Sequence, residues 1–148
     1  MNPFNDEYFM KQALVEARAA ASEGEVPVGA VIVCNNQIIA RAHNQTECLN
    51  DVTAHAEMLA ITAAAGVLGA KYLTNCSLYV TVEPCICVPC DRMGTLSTIV
   101  YGASDDKRGL LQIRPLKPSI RKRLSKKVSL KKSAQKKFSV SLSKDVKL

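Results

Sequence analysis

Apolar residues recur at helical spacing from about Asn5 to Glu23 (Met10, Ala13, Leu14, Ala17, Ala21), with Asp6 and Glu7 at the start and Gly24 beyond the end. This pattern predicts an amphipathic first helix. Val28 to Val33 is a continuous apolar run, Asn35-Asn36 has turn composition, and Gln37 to Ala42 returns as a second run, so residues 27–43 are predicted to form a β-hairpin. His55 to Ala65 is rich in Ala and free of Gly and Pro, which suits a second helix. Ser77 to Val82 is predicted as a third strand ending at Glu83-Pro84, with a further helix expected after it, and Thr98 to Tyr101 as a fourth strand. Strands interleaved with helices predict an α/β layer fold with helices packed on a sheet. At 148 residues the chain is long enough for one such domain and too short for a second catalytic one.

Charge divides the chain in two. Residues 1–108 hold 7 Lys/Arg against 12 Asp/Glu, a balance of −5, whereas residues 109–148 hold 13 against the single Asp145, a balance of +12; together they make the net +7. All the excess basicity therefore lies in the tail, where a solvated polybasic arm is expected in preference to a dedicated RNA-binding element. No stretch of 18 apolar residues is present, and Met1 to Asp6 lacks the basic start and apolar core of a secretory signal, so a cytoplasmic protein with no membrane association is expected. In a reducing compartment the six cysteines (Cys34, Cys48, Cys76, Cys85, Cys87, Cys90) are expected to serve metal binding or the core and not disulfides.

The chemistry lies in two short pieces. Thr53-Ala54-His55-Ala56-Glu57 opens the second helix, and Glu83-Pro84-Cys85 follows the third strand. A lone His before a helix is ordinarily a satisfied polar group. Here a neutral imidazole and a thiolate are the donors that zinc takes, and a carboxylate two residues from the His carries protons without binding metal. Two helix starts facing each other, one at His55 and one expected after Glu83-Pro84-Cys85, would form a compact metal cradle.

The chain resembles the bacterial tRNA adenosine deaminases of the TadA type, within the cytidine-deaminase-like superfamily, whose zinc signature is His-x-Glu followed by Pro-Cys-x-x-Cys. The resemblance is carried by Glu25-Val26-Pro27-Val28-Gly29-Ala30-Val31, His43-Asn44, Thr53 to Glu57, Leu78 to Cys85, and Ile99-Val100-Tyr101-Gly102-Ala103, and covers about two-thirds of the chain. It implies a three-layer α-β-α fold, a mixed sheet with helices on both faces, over a deaminase domain at 1–108. It also implies that His55 and Cys85 bind one Zn2+, that Glu57 shuttles protons, that Asn44 bonds the substrate nucleoside, and that Val28 and Ala56 line the base pocket. Asp105 falls where the family places an acid close to the substrate nucleotide; a solvated acid is the plain alternative. The implied reaction is hydrolytic deamination of adenosine to inosine in a tRNA anticodon loop, by a homodimer. A guanine- or cytosine-type deaminase shares the zinc core and is the nearest alternative, and a metal-deficient RNA-binding pseudoenzyme is the non-catalytic one.

The resemblance breaks at 86–98. The family's second Cys is expected at position 88, where Val88 stands, leaving Cys87 or Cys90 as substitute third ligands or as incidental thiols. Neither lies one helical turn from Cys85, and Pro89 opposes a helix there. Possible codons for Cys90 to Thr95, shifted by one base, read alanine, isoleucine, glycine, tryptophan, alanine, which is family-like helix sequence; restoring bases upstream also returns the missing Cys. A two-base shift of Ser119 to Ala134 likewise yields sequence resembling the family's C-terminal helix. Both segments are therefore read as off-frame translation of a deaminase gene, with frameshifts after Cys85 and after Gly109.

Overall fold

The structure, a computed structural model, describes residues 3–85 and 96–104 in full and the backbone of 124–127. Among the described residues the elements are, in order, α1 (Asp6–Ser22), β1 (Gly29–Cys34), β2 (Gln37–His43), α2 (Ala56–Leu68), β3 (Leu73–Val82), β4 (Leu96–Ala103) and β5 (Leu124–Lys127). The predicted first helix, hairpin and second helix are all present. β3 and β4 are longer than their apolar runs suggest, and β5 falls in the tail, where the sequence predicts no element.

Local chemistry explains the boundaries. The Asn5 side chain accepts a hydrogen bond from the Tyr8 amide at 2.9 Å and so caps α1, whose first turn carries Asp6 and Glu7 against the helix dipole. Asn35 and Asn36 both take positive φ, 52° and 59°, between the paired residues Cys34 and Gln37. Two consecutive left-handed residues match the twist of a tight hairpin, and Asn tolerates that conformation. Gly69, at φ 61°, ends α2.

One mixed sheet, in the order β2-β1-β3-β4-β5, forms the middle layer. β1 runs antiparallel to both β2 and β3, while β3–β4 and β4–β5 are parallel. Alternation along the central strands separates two cores. Ala30, Ile32, Leu78, Val80 and Ile99 pack with Ala56, Ala60, Ile61 and Ala64 of α2. Val31, Val33, Tyr79 and Val100 pack with Phe9, Met10, Ala13 and Leu14 of α1. Because successive strand residues point to opposite faces, the two helices cover opposite sides of the sheet. The three-layer α-β-α arrangement expected from the resemblance is thus observed. α1 lies close on its face: a Cβ on Gly29 would stand 2.1 Å from the Ala13 carbonyl oxygen and 2.4 Å from the Ala17 amide nitrogen. Among the described residues, no helix is long and apolar enough to cross a membrane.

Candidate active site

His55 occupies the N-cap of α2 in extended conformation (φ −74°, ψ 149°), and its side chain makes no capping hydrogen bond. Its Nδ1 faces Cys85 Sγ at 3.6 Å, bringing the start of α2 against the chain just past β3. In a tetrahedral zinc site, with Zn–N about 2.0–2.1 Å and Zn–S about 2.3 Å, two such donors stand about 3.5 Å apart. The pair fits one edge of that tetrahedron. No third His, Cys, Asp or Glu completes a metal-binding group among the described residues, and Val88, Cys87 and Cys90 lie outside them. Cys85 is disulfide-bonded. This overturns, at Cys85, the expectation that the cysteines avoid disulfides, while Cys34, Cys48 and Cys76 are free. A sulfur held in a disulfide cannot ligate zinc, and ligation requires the reduced thiolate.

Glu57, in the first turn of α2, is 5 % exposed. Burial disfavours its charged form and raises its pKa above the ordinary carboxylate value; a hydrogen bond from its own backbone amide and the neighbouring His55 oppose that shift without cancelling it. A carboxyl raised in this way holds and releases a proton closer to neutral pH than a surface glutamate does.

The other predicted contacts meet through the backbone. Asn44, buried at the end of β2, donates its amide to the Val28 carbonyl at 3.0 Å, and the Gln45 amide donates to the Ala54 carbonyl at 3.0 Å, next to His55. Val28 and Ala56 both belong to the core on the α2 face. Glu83 donates its amide to the Ala103 carbonyl at 2.7 Å, holding the end of β3 beside the end of β4. Asp105 lies outside the described residues.

Glu25 was not singled out by sequence. It is 4 % exposed, and its carboxylate accepts from the Cys48 amide at 2.7 Å, the Glu47 amide at 3.2 Å and Asn44 Nδ2 at 3.4 Å. The available signal was a charged residue at the head of the otherwise apolar run Val26 to Val33.

A helix-flanked mixed sheet thus presents an imidazole, a sulfur and a buried carboxyl at two element ends. Residues 3–101 match the family model described as the cytidine and deoxycytidylate deaminase zinc-binding region. The tRNA-specific adenosine deaminase of Aquifex aeolicus (strain VF5) is 52 % identical over 104 residues, covering 70 % of this chain and 69 % of that one. The Bacillus subtilis (strain 168) protein of the same name is 48 % identical over 105 residues, covering 70 % and 65 %. A structure from work on A-to-I editing by tRNA:A34 deaminases at the wobble position of transfer RNA superposes with a TM-score of 0.68 at 43 % identity, over 73 % of this chain and 88 % of that one. Guanine deaminase from Bacillus subtilis superposes at 0.61 with 30 % identity, over 95 % and 94 %. The chain belongs to the tRNA-specific adenosine deaminase family.

Proposed function

We propose that this protein's reaction is the hydrolytic deamination of adenosine to inosine at the wobble position of tRNA, with the base unstacked from the anticodon loop and presented to the site. The observation that carries the reading is the His55–Cys85 pair at zinc-ligand spacing beside buried Glu57, in a chain 52 % identical to a tRNA-specific adenosine deaminase. His55 and reduced Cys85 would hold the metal, and zinc in such a site supplies Lewis-acid activation of water. Glu57 takes one proton from the attacking water and delivers it to the purine ring nitrogen as the C–O bond forms, then takes the second from the added hydroxyl and delivers it to the amine as the C–N bond breaks. Water and adenosine thus give inosine and ammonia, and Glu57 ends in the state in which it began. Asn44 holds the nucleoside, Val28 and Ala56 flank its base, and Asp105 stands by the nucleotide. By the same resemblance the protein acts in the cytoplasm as a homodimer.

One observation favours a second reading. Val88 stands where the third ligand is expected, and a site that loses one of its protein ligands binds zinc more weakly. The chain as it stands is then a metal-deficient RNA-binding protein. Metal analysis and nucleoside mass spectrometry of treated tRNA separate the two. The chain is expected to purify, reduced, with well under one zinc, and Val88→Cys with the frame of 86–98 restored is expected to carry close to one and to form inosine. In that restored protein Glu57→Gln should keep its zinc and lose at least about a hundredfold in rate. Retention of most activity by Glu57→Gln would remove Glu57 from the proton path. Full zinc in the unaltered chain would point to Cys87 or Cys90 as the third ligand.

A further inference from the structure

We propose that Glu25 is a positioning residue for substrate recognition: it sets the orientation of the Asn44 side-chain amide and anchors the segment that carries it. The inference rests on the reading of Asn44 as a contact to the substrate nucleoside. Glu25 precedes β1 and Asn44 follows β2, so the Glu25–Asn44 bond ties the two open ends of the hairpin together. A carboxylate at 4 % exposure is costly to bury unless donors surround it. Here the three donors are the Asn44 amide nitrogen and the backbone amides of Glu47 and Cys48. The second of these oxygens serves both Asn44 and Glu47, and the first serves Cys48.

That arrangement decides which end of Asn44 is offered to a ligand. A carboxylate only accepts hydrogen bonds, so the NH2 end of Asn44 must face Glu25, and the same Nδ2 lies 3.4 Å from Thr46 Oγ1. The carbonyl oxygen Oδ1 is thereby turned away from Glu25 as an acceptor, which selects a hydroxyl or N–H group on the nucleotide. A neutral glutamine at position 25 has an NH2 of its own. Placed among three donors it cannot satisfy them all, and it no longer forbids the flipped Asn44 that would present a donor to the same nucleotide.

The test is a double-mutant cycle of Glu25→Gln with Asn44→Ala. Binding is read as the affinity for an RNA stem-loop with adenosine at the wobble position, divided by that for a duplex of equal charge, so that the basic tail cancels. Glu25→Gln should weaken this ratio by about tenfold with Asn44 present and by less than about threefold in the Asn44→Ala background. Equal losses in both backgrounds, or no loss with Asn44 present, would overturn the proposal while leaving Asn44 as a contact. If Asn44→Ala alone leaves the ratio unchanged, the substrate-contact reading fails and the positioning role with it. A readout on the unaltered protein stands independent of whether Glu25→Gln folds: the Asn44 side-chain amide protons should be protected from exchange with solvent without RNA. Exchange as fast as that of a solvent-exposed asparagine would likewise overturn it.

Discussion

His43 stands between two carboxylates, with Nδ1 3.2 Å from Glu16 Oε2 and Nε2 2.9 Å from Glu23 Oε2. Its partial burial lowers the pKa, but the bonds to Glu23 and Glu16, with their charges, outweigh that and raise it above the ordinary 6.5. Arg41 shares Glu16 at 3.9 Å and donates to Gln12 Oε1 at 2.9 Å, so the end of β2 is stitched to α1 by charge. Because the folded-state pKa exceeds the unfolded one, the stabilisation is fully present below pH 6.5 and is lost as the pH rises through the folded value. The thermal midpoint should therefore fall across that window in the unaltered protein and stay flatter in His43→Gln. Equal slopes for the two proteins would show that the contacts carry no proton linkage. None of this was visible in the sequence, where His43 enters only beside Asn44: its partners are 27 and 20 residues away. His55, Glu57 and Cys85 could be singled out as candidates because their motif is local in sequence, and the structure brings His55 Nδ1 to 3.6 Å from Cys85 Sγ.

At the level of elements, the helices and the hairpin could be read because their periodicity, caps and turn residues are local. The strand ends could not. Gly102 has the look of a strand terminator, yet it lies within β4, where a Cβ would come within 2.8 Å of the Thr81 carbonyl oxygen; the close approach of β3 requires glycine there. Likewise the polar residues Thr74 and Asn75 interrupt the apolar run at the head of β3, and the ladder with β4 is irregular between Leu73 and Ser77. Gly29 is the sharper case. Its missing side chain lets the backbone of α1 settle on β1, so Gly29→Ala must push the helix outward. A loss of about 3 kcal/mol is expected from urea unfolding, with an unchanged m-value because the surface exposed on unfolding is nearly the same. A loss below about 0.5 kcal/mol would mean that α1 shifts freely and is not held by the packing described.

Across the whole molecule, an acidic deaminase domain is joined to a basic tail. The tail contributes β5, which pairs with β4 at Ile99↔Leu124 and Tyr101↔Lys127, although its apolar pattern gave no warning of a strand, since the charged run masks any alternation. Removing residues 129–148 keeps β5 and takes away six lysines. Affinity for an anticodon stem-loop and for a scrambled RNA of equal length should then fall by the same factor, with a shallower salt dependence for both. Selective loss of the anticodon preference would instead mark the tail as a selected RNA-binding arm and overturn the reading of it as off-frame translation. Both cores close on residues of the sheet and the two helices, while the His55–Cys85 pair sits at the rim where α2 begins and β3 ends. If His55 and Cys85 hold zinc as proposed, losing it would remove the chemistry and leave the shape. In a cell short of zinc, or one that oxidises Cys85, the folded and inactive protein would go on occupying the tRNA it can no longer edit, and so act as an inhibitor of whatever intact enzyme remained.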